Sequence, residues 1–257
     1  MKQYVVDAFT DHVFAGNPAA LCVMEGFPED HLLQQIAVEN NLSETAYLVP
    51  HKEGYDLRWF TPGGEIDLCG HATLASAFLV FTKLHPEWEK VPFYTRSGVL
   101  TVTREKEEMV MEFPAYPLQE VPVTEAMASA IGVCPAAAFM GRDLLCVLPH
   151  EEDVRCAVPD LALVKALPGE LLHITARGKE YDCVSRSFAP KLSVNEDPVC
   201  GSGHCHIFPY WAKALRKERL SGYQASRRGG EIGGVVQGDT VFLSGKAVLF
   251  SEAELYI

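Results

Sequence analysis

The stretch Arg58-Trp59-Phe60-Thr61-Pro62, followed by Asp67-Leu68-Cys69-Gly70-His71, decides how this chain reads, because the same phrase returns later. The second copy is Arg186-Ser187-Phe188-Ala189-Pro190, followed by Asp197-Pro198-Val199-Cys200-Gly201-Ser202. Phe60 and Phe188 stand 188 − 60 = 128 residues apart, half of a length of 257. A phrase repeated at half the length predicts two like lobes, each contributing one Cys-Gly step that opens an apolar stretch. If the two lobes face each other, two sulfurs and two sets of free backbone amides come together where chemistry can be done.

Working outward, Gly70 to Leu84 is apolar on nearly every side, which predicts a helix buried inside a wrapped sheet. Its counterpart is a helix from Ser202 to Leu215, with Pro209 inside it and a kink expected there. Strands are predicted at Tyr4–Phe9, Ala19–Val23, Thr45–Val49, Tyr55–Phe60, Gly98–Val102 and Met109–Phe113, with a helix over Pro28–Glu39. Three prolines between Pro114 and Pro122 mark the crossover between lobes. Beyond it come helices near Val123–Ile131 and Leu161–Leu167, and strands near Leu144–Leu148, His173–Ala176 and Asp182–Phe188. A hairpin over Gly229–Leu243 and a final strand pair, Ala247–Phe250 with Glu254–Ile257, complete the expectation. The fold class is α+β: two similar lobes, each a strand-rich, barrel-like sheet wrapped on a central helix. Their expected extents are 1–115, completed by 247–257, and 116–246.

A net charge of −12 and a pI near 5.2 argue against nucleic acid or an anionic membrane as partner, since both demand clustered Lys and Arg. No apolar run reaches the roughly eighteen residues that span a bilayer. Asp7 and Asp11 stand where a signal peptide would be apolar, so a cytoplasmic protein with mostly reduced cysteines is expected.

Each Cys-Gly step precedes a helix, whose first amides lack internal partners and carry partial positive charge. Cys69 and Cys200 are therefore placed beside anion cradles, where the helix field acts to lower a thiol pKa towards neutrality. Taken alone, each cysteine reads as a small buried apolar residue; their shared position in the repeat raises the functional reading. Read locally, Glu44 is a loop residue between helix and strand, and His71 a core histidine in the first turn of a helix. Asp197 complements a helix entry, and Gly16-Asn17-Pro18 is a turn. His204, Cys205 and His206 with Cys200 hint at a metal, but residues two apart on a helix point to different faces, so zinc is not expected.

These pieces together resemble the phenazine-biosynthesis PhzF-like isomerases of the diaminopimelate-epimerase-like fold. The matching segments are Asp7-Ala8-Phe9-Thr10 with Phe14-Ala15-Gly16-Asn17-Pro18-Ala19, Asn41-Leu42-Ser43-Glu44-Thr45, Phe60-Thr61-Pro62 with Asp67 to Thr73, and Glu196 to Gly203. Tyr210-Trp211 and Arg228-Gly229-Gly230 also fit. The resemblance implies a general acid/base at Glu44, polarising or orienting groups at His71 and Asp197, and substrate contacts from Gly70, Gly201, Ser202 and Asn17. It implies no metal or organic cofactor, and a homodimer. The function it implies is cofactor-independent proton movement on a small carboxylated substrate. Epimerases of this fold use two cysteines, and this chain has Cys69 and Cys200 at both places. A two-thiol epimerase or racemase of an amino or hydroxy acid is therefore the alternative, with a catalytically silent binding protein as the third.

Overall fold

The computed structural model describes residues 1–257. The chain divides into two compact units, Met1–Glu112 with Ser244–Ile257, and Phe113–Leu243. In chain order the first unit contains β1 (Lys2–Ala8), β2 (Asn17–Val23), α1 (Asp30–Asn40), β3 (Glu44–His51), β4 (Gly54–Thr61), β5 (Gly64–Ile66) and α2 (Gly70–Leu79). A π-helical turn, Val80–Leu84, extends α2, and β6 (Lys90–Thr95), β7 (Gly98–Glu105) and β8 (Glu108–Pro114) follow. The second unit contains β9 (Gln119–Val121), α3 (Glu125–Ile131), β10 (Ala137–Met140), β11 (Leu144–Val147), α4 (Glu151–Cys156) and α5 (Leu161–Ala166). It continues with β12 (Leu172–Arg177), β13 (Cys183–Ala189), β14 (Val194–Asp197), α6 (Gly201–Leu215), β15 (Arg219–Gln224), β16 (Gly230–Gln237) and β17 (Thr240–Gly245). The last strand, β18 (Ala247–Glu254), returns to the first unit and runs antiparallel to β1.

The two units repeat one topology. In the first, β1 and β2 are antiparallel, β2 and β3 parallel, β3 and β4 antiparallel, and β4 and β6 parallel. In the second, β10 and β11 are antiparallel, β11 and β12 parallel, β12 and β13 antiparallel, and β13 and β15 parallel. A short strand, β5 or β14, folds back on β4 or β13 just before the helix in each case.

The helices sit where their sequences demand. On α2, Ala72, Leu74, Ala75, Ala77 and Leu79 are wholly buried, and the helix packs against β1, β2, β3 and β18. Each fully buried leucine contributes about 2 kcal/mol, which is why a helix with no polar face is stable only when enclosed. Its hydroxyls are satisfied locally: Thr73 Oγ1 donates to the Cys69 carbonyl at 2.5 Å and Ser76 Oγ to that of Ala72 at 2.7 Å. Helix α6 packs against β12, β15 and β16, burying Ile207 and Phe208, while Trp211 Nε1 donates to Thr175 Oγ1 at 3.0 Å. The rest of the second core is built by Ile131, Leu144, Leu148, Val154, Ile174 and Phe188.

One expectation is corrected. The final strand pair is a single strand, because β18 finds its partner in β1 from Lys2↔Glu254 to Ala8↔Ala247, leaving Leu255–Ile257 outside any strand. Helix α6 runs from Gly201 to Leu215 with Pro209 inside it, as the sequence predicts.

Candidate functional site

The repeated phrase builds the same device in both units. On β4, Arg58 forks onto Glu65 of β5, with Nε and Nη2 each 2.7 Å from a carboxylate oxygen, and lies 5.1 Å from the Phe60 ring centroid. On β13, Arg186 forks onto Glu196 of β14 at 2.7 and 3.0 Å and lies 5.1 Å from the Phe188 ring. Each clamp ties the short strand that delivers a Cys-Gly step to its helix. The sequence held the signal: Glu65 and Glu196 each stand four residues before the cysteine. The motif is therefore Arg-x-Phe-x-Pro followed by Glu-x-x-x-Cys-Gly.

In the first unit, Cys69 caps α2 in an extended conformation and His71 follows in the first turn. Glu44 is the first residue of β3, delivered by the left-handed Asn41 (φ 49°) that ends α1. Three side chains meet: His71 Nδ1 lies 3.6 Å from Cys69 Sγ, and His71 Nε2 lies 3.0 Å from Glu44 Oε2. The 3.0 Å approach is poorly aligned for a hydrogen bond, so two buried polar atoms, Glu44 Oε2 and His71 Nε2, have no well-directed partner. Burial alone would lower the His71 pKa, but Cys69 and Glu44 beside it hold it well above the ordinary imidazole value. Burial, reinforced by Glu44, pushes the Cys69 thiol up. Asn17 is wholly buried at the start of β2, opposite Ala8. It is seated there by Gly16, where φ is 64° and any Cβ would fall 2.1 Å from the Ala8 carbonyl oxygen.

In the second unit, Cys200 caps α6, and its sulfur accepts from the Gly203 amide at 3.3 Å. Ser202 Oγ lies 3.5 Å from the same sulfur, holding the place relative to Cys200 that His71 holds relative to Cys69. Gln224, fully buried, pins this segment by accepting from the Cys200 amide at 2.9 Å and donating to the Asp197 carbonyl at 2.6 Å. Burial, then Asp197, pushes the Cys200 thiol well above its usual pKa, against smaller opposing effects of Ser202 and the Gly203 amide. The expected helix-driven lowering of both thiols is thus corrected, because desolvation outweighs the helix terminus at each cysteine.

Glu44, Cys69 and His71 therefore cluster in one unit, and Asp197, Cys200, Gly201 and Ser202 in the other. Sequence reading missed Gln224 and Arg142, whose Nη2 lies 3.1 Å from Ser202 Oγ. Within each of two sets of metal-capable residues the donor atoms lie within 4.8 Å of one another: Glu44, Cys69 and His71 in the first unit, and the buried Asp143, His173 and His206 in the second. The second is a poor cation site, since Arg142 Nη2 stands 2.6 Å from Asp143 Oδ2 and each imidazole is already engaged.

The fold of paired strand-wrapped helices is shared with solved PhzF-family and proline-racemase-like structures. A probable proline racemase from Agrobacterium radiobacter shares the fold over 100% of this chain and 93% of its own, with a TM-score of 0.66 at 10% identity. The chain itself belongs to the phenazine biosynthesis-like (PhzC-PhzF) family, whose model matches residues 6–253. It is 44% identical over 254 residues to an uncharacterized isomerase of Pseudomonas aeruginosa, covering 99% of this chain and 98% of that protein. A PhzF-family protein of Enterococcus faecalis has a crystal structure with a TM-score of 0.98 and 46% identity, covering 100% of this chain and 99% of the other.

Proposed function

We propose that the protein is an isomerase that moves a proton between carbons of a small carboxylated substrate, with Glu44 as general acid/base. The observation that carries this reading is the buried Glu44 Oε2 and His71 Nε2, 3.0 Å apart and without well-directed partners. Buried polar atoms left open in this way are reserved for a ligand. Glu44 accepts a proton from carbon, the C–H electron pair enters the substrate's conjugated system, and the same carboxyl returns the proton at another carbon. His71, with Glu44 Oε2 3.0 Å from its Nε2 and its pKa raised, is suited to stabilise the oxyanion that develops. Ser202, Asp197 and the first amides of α6 are the set we assign to holding and orienting the substrate carboxylate, with Asn17 and the Gly70 amide contributing. Family membership and the isomerase among the close relatives support the reading.

A second reading is a two-thiol epimerase, favoured by a cysteine capping each helix. The upward shift of both thiols weighs against sulfur as the resting base. The test is deuterium incorporation from D₂O into a panel of small carboxylic, amino and hydroxy acids, read by NMR for wild type, Glu44→Gln and Cys200→Ser. Exchange that survives Cys200→Ser and disappears in Glu44→Gln supports the first reading, and the reverse dependence replaces it with the second.

A further inference from the structure

We propose that Arg142 is a positioning residue that fixes the direction of the Ser202 hydroxyl, making it a permanent hydrogen-bond donor whose natural partner is an oxyanion. This rests on the reading above, in which Ser202 holds the substrate. Arg142 Nη2 lies 3.1 Å from Ser202 Oγ. A guanidinium has donors and no acceptor, so the serine oxygen must accept, and its own hydrogen is turned away from Arg142. The other neighbour of that oxygen is Cys200 Sγ at 3.5 Å, a weak acceptor that a carboxylate or enolate oxygen readily replaces. A ligand group that brings only donors, such as an ammonium, meets a hydroxyl already committed to donating.

The arginine is held so that it cannot release the serine. Its Nε and Nη2 lie 3.1 and 2.6 Å from the two oxygens of Asp143, Nη1 donates to Tyr116 Oη at 3.1 Å, and the guanidinium sits 4.9 Å from the Tyr116 ring centroid. Asp143 is wholly buried and also accepts from His173 Nε2 at 3.0 Å and the Leu171 amide at 3.3 Å. Burial would raise its carboxyl pKa, but His173 and Arg142 hold it well below the usual range, so the anchor is a carboxylate. His206 stacks on Tyr116, with ring centroids 4.3 Å apart. Its Nδ1 donates to the Ser202 carbonyl at 3.1 Å, and its Nε2 accepts from the Asp143 amide at 3.3 Å. His173 reaches Ser187 Oγ at 2.9 Å through its other nitrogen. The first turn of α6 seats directly on this network: a Cβ on Gly203 would fall 2.8 Å from His173 Cε1 and 3.1 Å from Ser187 Oγ. The serine's backbone and its side chain are therefore both fixed by groups that extend from one buried carboxylate.

The test is a double-mutant cycle with wild type, Arg142→Met, Ser202→Ala and the double variant, repeated with Arg142→Lys in case the methionine leaves Asp143 unpaired and the protein unfolded. The first readout is KM and kcat for deuterium exchange on whichever acid of the panel the wild type exchanges. The second needs no substrate: the rate of iodoacetamide alkylation at Cys200, followed by peptide mass spectrometry. Arg142→Met is expected to raise KM about tenfold, the size of one charge-assisted hydrogen bond, and to add less than about twofold once Ser202 is alanine. Alkylation of Cys200 should slow by a larger factor in Arg142→Met when Ser202 is present than when it is absent. Independent, multiplicative effects of the two substitutions in both readouts would overturn the proposal, as would a wild-type KM in Arg142→Met. Absence of exchange from every acid by the wild type would count against the isomerase reading alone, and the alkylation cycle would then decide the role of Arg142.

Discussion

Glu44 in the first unit and Leu171 in the second occupy the same place in the repeat, and they could hardly differ more. Thr45 pairs with Phe60 and Leu172 with Phe188, so the residue before each, Glu44 or Leu171, enters its strand at the equivalent point beside the Cys-Gly step. Glu44 meets Cys69 and His71 with a carboxylate. Leu171 packs with Ala189 and against Cys200, giving that sulfur an apolar floor. The positions two beyond each cysteine diverge in step: His71 is backed by an acid, Ser202 by Arg142. One scaffold carries two different clusters, a carboxylate facing an imidazole in the first unit and a hydroxyl backed by a guanidinium in the second. The lesson is that a duplicated backbone device fixes where chemistry can happen, while single residues at matched register decide which chemistry.

The comparison is broken most severely at Glu44. Glu44→Gln is expected to lower the exchange rate by about a thousandfold, the usual contribution of a positioned acid/base, measured by NMR in D₂O. Leu171→Glu asks whether the second unit tolerates the first unit's residue. It buries a carboxylate without the histidine that faces Glu44, and should destabilise the protein by about 3 kcal/mol in urea unfolding. If the midpoint does not move, the apolar floor is not what separates the two clusters.

The histidines sharpen the contrast through opposite pH slopes. His71 has its folded pKa raised, so its stabilisation is complete below about pH 6.5, its unfolded value, and is lost as pH rises through the folded value. Burial holds His206 down to about 4, so its contribution is present above about pH 6.5 and is lost as pH falls towards 4. Urea unfolding across pH should therefore show His71→Asn flattening the alkaline decline and His206→Gln flattening the acid one. The smallest effect is expected for Cys200→Ser, under about tenfold on exchange, since a buried neutral thiol acts there as packing and acceptor. A loss as large as that of Glu44→Gln would hand the chemistry to the sulfurs.

Features written locally in the sequence were legible, and those fixed by strand register were not. Helix α2 announced itself through an unbroken apolar surface, and β7 and β8 through alternation. Strand β6 did not, because Pro92 lies inside it, and only its pairing with β4 and β7 defines it. Helix α4 is one and a half turns of mostly charged residues, held by local bonds such as the one from the His150 amide to Asp153 at 3.0 Å. The Cys-Gly repeat brought Cys69, His71, Cys200 and Ser202 into view, and the family resemblance drew attention to Glu44 and Asp197. Arg142, Gln224 and Leu171 reach the clusters from sixty, twenty-four and twenty-nine residues away from Ser202 or Cys200, distances over which no local pattern speaks.

The pairing of β1 with β18 imposes an order on synthesis. The Met1 amino group donates to the Leu255 carbonyl at 2.9 Å, so the first unit's sheet closes between residues 254 positions apart. Residues 113–243 are complete on the ribosome before 244–257 have been made. The second unit can therefore reach its native packing while the first still waits for its last strand, reversing the usual amino-terminal-first sequence of events. Until that strand arrives, β1 has an unpaired edge along the register that β18 will fill, and this is the interval in which a nascent chain is most exposed to pairing with the wrong partner.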